Sequence, residues 1–596
     1  MFDKLLKKWL SFIKPFFKKE EHRAFRAFFK NKIPSLKQLK YLGRILDKQE
    51  KKTVKILSAV ILTCLIVLIL RIYFSITTPI PTVGGKYVEG IVGTTKFINP
   101  LLAIDDADRS ISQLIYSGLL KYDENLALQP DLASEFFFDQ EQKKYTFCLK
   151  ENLFWHDGVK ITADDVIFTL TLIKNPVLKN QFLEKLRDVE VEKVNENCLK
   201  IKTKNLSNLT VGILPKHIWE SIQPEEIAQS KLNLRPIGSG PFKFDSLIKD
   251  SDNQIKIFNL EQNKNYYQKT YIKEIAFKFY PDTESAMTAL KEKEIDGLGY
   301  ISKKLSKQAL SEIKNLKYYQ LNLPYYTAIF FNLRSPKDIN KTNFLKDKSV
   351  RLALSYLTPK QEILEQVFNQ EGVIIDGPIL PNSPFFNQGI KKYEYNSALA
   401  AQTLNQNGWT KNTDGFFEKD KKTLEISLTT VDQPDFLEAA SIIQKSWENI
   451  GLKIKLIVVS SCQIKEIIKN RQFETFLYGI LENLNFDPYP IWHSSQIESP
   501  GLNLSGFSYR RTDEILEKAS LSENEQERKN YYLEFQNIIN DNLPAVFLCN
   551  TTYSYLINEK IKGLDTVNLI HPADRFNKLQ NWYIKTKRQF NKNNNK

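Results

Sequence analysis

Trp155-His156-Asp157-Gly158 is the string that most looks like reactive chemistry, because an imidazole beside a carboxylate is the usual general-base pair. A base needs a group to activate. No Gly-x-Ser-x-Gly nucleophile turn and no His-Glu-x-x-His zinc helix occurs in the 596 residues. Asp157-Gly158 instead has the turn chemistry of a hairpin, with Trp155 as a packing anchor at its end and His156 part of the turn. His217, His493 and His571 stand alone. Five cysteines without a Cys-x-x-Cys give no ligand spacing for a metal. Gly238-Ser239-Gly240-Pro241 lacks the Gly-Lys-Ser/Thr ending of a phosphate loop, and Pro241 removes a backbone N–H that such a loop would use. The residues therefore point away from an enzyme and from any cofactor or metal. The chemistry left is binding, for which an aromatic content of 12% supplies broad, rigid contact faces.

The chain divides at its one apolar run of membrane length. Ile56 to Leu70 carries no charge, yet at ~1.5 Å per residue it covers only ~22 Å of a ~30 Å hydrocarbon core. If Arg71 snorkels and Ile72-Tyr73-Phe74-Ser75-Ile76 completes the span, the length reaches ~32 Å, with Tyr73 and Phe74 at the aromatic interface. Residues 1–55 hold 17 Lys/Arg against 5 Asp/Glu, and no basic residue follows Arg71 until Lys86. That asymmetry predicts a cytoplasmic N-terminus and an extracellular C-terminal part. A cleaved signal peptide fits less well, since Thr77-Thr78-Pro79-Ile80 offers no Ala-x-Ala-like site. Cys64 lies mid-run, where lipid attachment is not expected. Of the net charge of +15, +12 belongs to the first 55 residues and only +3 to the rest. This argues against a nucleic-acid partner and for attraction to an anionic inner leaflet, where Trp9, Phe12, Phe16 and Phe17 interleave with the bases.

Beyond the span the elements alternate: a strand over Tyr87–Val92, a helix over Asp108–Leu119, strands around Tyr145 and Leu199. Thr162-Ala163-Asp164-Asp165 opens a helix with Thr162 as N-cap, and Asp282 opens another. Cys148 and Cys198 sit on the polar faces of their strands, where an oxidising exterior permits a bridge if those strands are neighbours; free thiols are the alternative.

At these residues the chain resembles the extracellular solute-binding proteins of family 5, the peptide- and nickel-binding receptors of ABC importers. The likeness runs through Thr95-Lys96-Phe97-Ile98-Asn99-Pro100, Leu114-Ile115-Tyr116-Ser117-Gly118-Leu119, Trp155-His156-Asp157-Gly158, Thr162-Ala163-Asp164-Asp165-Val166, Pro236-Ile237-Gly238-Ser239-Gly240-Pro241-Phe242, Val350-Arg351-Leu352-Ala353-Leu354-Ser355 and Glu448-Asn449-Ile450-Gly451-Leu452. It covers about residues 88–580. The fold implied is α/β: a two-lobed periplasmic-binding-protein-like fold (type II) with an extra inserted subdomain, preceded by one transmembrane helix. The implied layout is a basic cytoplasmic segment 1–55, a span 56–76, a linker 77–84, lobe I from 85–124, 236–320 and 544–583, the insert 125–235, lobe II 321–543 and a frayed tail 584–596. Gly238-Ser239-Gly240-Pro241 becomes a crossover between lobes.

What the resemblance implies for function is capture of a peptide or other extended polar solute by lobe closure, with delivery to permease subunits made by other chains. A membrane-anchored sensor or adhesion receptor is the alternative. The receptor is expected to be a monomer. Ligand main-chain pairing is implied at Thr94–Phe97 and Tyr478–Glu482, giving Thr95, Phe97, Tyr478, Leu481 and Glu482 as site residues, with Tyr325, Tyr326, Phe330, Phe476 and Tyr478 either as aromatic walls or as core packing. Peptide receptors of the family place an aspartate where this chain has Leu484, to hold the ligand's ammonium. Here Glu482 substitutes through a local shift, or Asn485 offers a neutral acceptor, or the ligand has no free amino end.

Overall fold

The computed structural model describes residues 47–178, 180, 182–203, 205–334, 342–460, 463–482, 487–522 and 524–591. They fall into two compact units, one reaching Ile80 and resuming at Lys587, the other running from Pro81 to Thr586. In the first, the helix Lys48–Ile76 contains the whole expected span and begins two turns earlier. Its start is capped: the Asp47 carboxylate accepts from Lys48 N at 2.6 Å and Glu50 reaches back to Asp47 N at 3.0 Å. None of its 29 residues is buried, and it is long and apolar enough to cross a membrane. The expected linker and frayed tail are corrected here. Thr77–Thr82 and Lys585–Phe590 pair as a two-stranded sheet, which gives two polar segments partners for their backbone groups.

The larger unit is built on two mixed sheets. The first has seven strands, in the order Leu316–Leu321, Tyr553–Asn558, Gly297–Gly299, Lys86–Val92, Glu274–Tyr280, Ile255–Gln262, Phe242–Lys249. The second has six, in the order Gly372–Ile374, Ala545–Thr551, Tyr325–Phe331, Thr475–Leu481, Glu425–Val431, Lys453–Val459. Separate apolar clusters cover the two faces of the second sheet, one around Trp447 and Leu428, the other around Trp492 and Phe547. Two crossovers join the sheets, Asn322–Pro324 and Thr552. The strand Ala545–Thr551 thus belongs to lobe II, so the return to lobe I falls at Thr552 and not at 544. One short step between two long strands carries no composition signal that would mark it.

The inserted subdomain holds the sheet Ala133–Asp139, Lys144–Leu149, Cys198–Lys202, Glu190–Lys193. Cys148 and Cys198 stand directly opposite in register and are bridged. The helix Ala163–Ile173 starts at Thr162, whose backbone N–H donates to Asp165 at 2.8 Å. Gly238-Ser239-Gly240 is not a crossover between lobes. It returns the chain from the insert into lobe I, packed so tightly on the end of the helix Asp106–Ile115 that a Cβ at Gly238 would overlap the Ile115 carbonyl oxygen. His156 holds this return: Gly238 N–H donates to its Nδ1 at 3.1 Å, and its Nε2 faces the Gly240 carbonyl at the same distance. An N–H aimed at Nδ1 needs a lone pair there, so the ring is neutral, and burial pushes its pKa down to about 4.

At the hinge, Lys303 begins the helix Lys303–Glu312 of lobe I. Its ammonium is 3% exposed and pairs with Glu371 of lobe II at 2.9 Å. It also donates to the Thr552 carbonyl at 2.7 Å and hydroxyl at 2.8 Å, on the crossover itself. Tyr318 donates to the same carboxylate at 2.5 Å.

Two outcomes follow. Lys303→Met strands the Glu371 carboxylate and should cost about 3 kcal/mol in denaturant unfolding, most of which Lys303→Met/Glu371→Gln recovers. Because the depressed His156 pKa means that the unfolded chain binds the extra proton, stability is complete above pH ~6.5 and falls as pH drops toward about 4. A Tm series over that window should show the slope, and His156→Ala should flatten it.

Candidate functional site

Alternation along a strand decides which side chains reach the space between the lobes. In the strand Tyr325–Phe331, Tyr325 and Thr327 line a cavity of about 640 Å³ bounded by both lobes and the hinge. Their neighbours Tyr326, Ala328 and Phe330 point through the sheet into the core beside Trp492. The antiparallel partner Thr475–Leu481 repeats this, with Tyr325 opposite Leu481, Thr327 opposite Gly479, Ala328 opposite Tyr478 and Phe330 opposite Phe476. Gly479 is required there, because the Tyr325 ring lies where its Cβ would be.

From lobe I come the strand ends Gly90–Val92 and Gly299, then Tyr300, held at φ +59° with its ring half exposed in the cavity and 5.9 Å from that of Tyr553. Below them lies a fully buried charge pair. The Arg575 guanidinium meets Glu89 through Nε at 3.0 Å and Nη2 at 2.8 Å, and donates to Ser110 Oγ at 3.2 Å. The Glu89 carboxylate also accepts from the hydroxyls of Tyr87 and Tyr555. Burial alone would push the Arg575 guanidinium down. Tyr553 and Glu89 outweigh that and hold it charged.

The two bases lining the cavity, Lys303 and Arg575, are thus already neutralised by carboxylates behind them. Asp282, Asp432 and Asp435 line the same space. The Asp435 carboxyl is pushed up to about 6, first by burial and then by Glu438, against the pull of Lys303. The wall is therefore aromatic and acidic.

The expected site residues separate. Tyr325 lines the cavity and Leu481 shares its sheet face at 37% exposure. Tyr326, Phe330 and Phe476 are corrected to core residues, each at most 1% exposed, because their parity turns them to the packed face. Tyr478 stacks on Phe476 at 4.8 Å on that same face. Thr95 is buried and donates to Asp108 at 2.5 Å, while the backbone N–H groups of Lys96 and Phe97 also reach that carboxylate. Asp108 thus holds two of the backbone donors of the expected pairing edge Thr94–Phe97, those of Lys96 and Phe97.

The other edge stays open. Glu425–Val431 pairs with Thr475, Phe476 and Leu477 and then departs, leaving Tyr478–Leu481 without a strand on that side among the described residues. Glu482 follows. Its carboxyl is 8% exposed, accepts from the Leu380 N–H and leaves Oε2 without a partner, so burial pushes its pKa well up. Asn485 and Leu484 lie outside the described residues.

Sequence reasoning missed Glu89, Arg575, Lys303 and Glu371. Glu89 carried a signal, as a carboxylate in the middle of the apolar strand Tyr87-Val88-Glu89-Gly90-Ile91. Such a group is tolerated in a core only when paired.

The comparisons with known proteins agree with this architecture. The family model of bacterial extracellular solute-binding proteins, family 5, matches residues 127–500. The oligopeptide-binding protein AppA of Bacillus subtilis (strain 168) is 29% identical over 521 residues, covering 85% of this chain and 92% of that one. The dipeptide-binding protein of Escherichia coli (strain K12) is 23% identical over 504 residues, covering 79% and 90%. Among solved structures, NikZ from Campylobacter jejuni with Ni(L-His) superposes at a TM-score of 0.73, with 28% identity and coverage of 84% and 99%. The Bacillus subtilis AppA complex with a nonapeptide gives 0.72, with 27% identity and coverage of 85% and 100%. These relatives are binding receptors and not enzymes, and the chain belongs to the bacterial extracellular solute-binding proteins of family 5.

Proposed function

We propose that this chain is a membrane-anchored receptor that captures peptides outside the cell, closes its lobes over them and hands them to the permease subunits of an ABC importer. The observation that carries the reading is the cavity between two sheets joined only by two crossovers, with an unpaired strand edge at Tyr478–Leu481 beside it. Such an edge binds the main chain of an extended ligand whatever its side chains, and Tyr300, Tyr325 and Tyr553 add tolerant aromatic contact. Hinge motion has a ready axis at Asn322–Pro324 and Thr552. The anchor reading is supported by the exposed apolar helix Lys48–Ile76 and the basic segment before it, and an extracellular receptor unit by the Cys148–Cys198 bridge.

Glu482 is the group proposed to meet the peptide's ammonium. Burial with one oxygen unpartnered favours the neutral form of this carboxyl, and an ammonium beside it would favour the ionised one.

Titration calorimetry on the Pro81–Thr586 unit, with peptides of three to nine residues, checks this. Free-amine peptides should bind at least tenfold more tightly than their N-acetyl forms, Glu482→Gln should remove that difference, and Tyr325→Ala should weaken both by roughly tenfold, the ~1.4 kcal/mol expected of one aromatic contact. A library without any binder would refute peptide capture. Affinity for lysine-containing peptides should also drop as pH falls from 7 to 5, because Asp435 loses its charge through about pH 6, and Asp435→Asn should remove that dependence.

A further inference from the structure

The last four carbonyls of any α-helix lack intrahelical donors and need partners from caps, neighbouring chain or water. In the helix Lys48–Ile76 those carbonyls belong to Tyr73, Phe74, Ser75 and Ile76. Each has a partner. Thr77 Oγ1 donates to Tyr73 O at 2.6 Å. The other three donors come from the far end of the chain: Arg588 Nη2 to Phe74 O at 3.1 Å, Asn591 Nδ2 to Ser75 O at 3.2 Å and Asn591 N to Ile76 O at 2.8 Å.

Arg588 does more than fill one acceptor. Its Nη2 also donates to Thr77 O at 2.7 Å and its Nε to Thr77 Oγ1 at 2.8 Å. The guanidinium lies 4.4 Å from the centroid of the Phe74 ring and 5.7 Å from that of Tyr73. A fixed cation at a helix C-terminus complements the negative end of the dipole, and two aromatic faces shield it. Beside it, Phe590, a large apolar side chain, is 66% exposed among the described residues.

These observations combine at one place. Tyr73 and Phe74 are the residues a 56–76 span sets at the headgroup level, so whatever caps that helix end shares the level. We propose that residues 587–591 are a second membrane contact: a clasp that completes the C-terminal cap of the span and seats Phe590 in the boundary between phospholipid headgroups and acyl chains, with Lys587 toward the phosphates. This rests on the anchor reading above.

The test uses the full chain in vesicles of phosphatidylcholine and phosphatidylglycerol, with a photoreactive phenylalanine analogue at position 590 or, as a reference inside the span, at position 66. Irradiation followed by peptide mass spectrometry should find lipid adducts at both positions. Arg588→Ala should cut the adduct at 590 at least fivefold and leave that at 66 unchanged. Adducts at 66 without adducts at 590 overturn the clasp and leave the anchor standing, whereas their absence at 66 overturns the anchor and the clasp with it. Adducts at 590 that ignore Arg588→Ala overturn the capping role.

Discussion

The buried ammonium of Lys303 sits at one of the two crossovers, Thr552, where the chain passes between the lobes. It touches Glu371 of one lobe, belongs to a helix of the other, and donates twice to Thr552 between them. An ion pair so enclosed gains little net stability, since desolvation offsets most of its attraction. Its effect is geometric. Four oxygens around one cation, from Glu371, Tyr318 and Thr552, hold the crossover beside the sheet ends that line the cavity. Burial lowers the Lys303 pKa while Glu371 raises it, a balance in which the carboxylate keeps the ammonium in place.

A second enclosed pair, Glu89 with Arg575, does the same work beneath the cavity floor. Together the two pairs consume the bases that line the space, and the carboxylates of Asp282, Asp432 and Asp435 remain to face a solute. Aromatic rings and carboxylates together make up that wall, and the Asp282 carboxylate also caps its helix by accepting from Ser285.

Much of the fold was legible in the residues. The capped start at Thr162, the turn at Asp157-Gly158, the apolar span and the blocks shared with the family all described what folds. The first two turns of the long apolar helix escaped because Lys48 to Lys55 is polar, and polarity is no bar to helix where a capping box starts it. The site was less legible. Tyr325 and Tyr326 are equivalent by type, and only the register with Leu481 and Ile480 shows that one faces the solute and the other the core. Thr95 resembled a pairing edge until Asp108, thirteen residues on, was seen to hold it. Contacts that join distant parts of the chain, such as Lys303 with Glu371, leave no local pattern at all.

The strands Ala545–Thr551 and Tyr553–Asn558 each lie between two partners in the interior of a different sheet. Residues synthesised more than two hundred positions earlier, at Gly297–Gly299 and Tyr325–Phe331, must therefore wait for them with open backbone edges. Neither lobe can complete its sheet until these late strands are available, so both cores are sealed together near the end of folding and not one after the other.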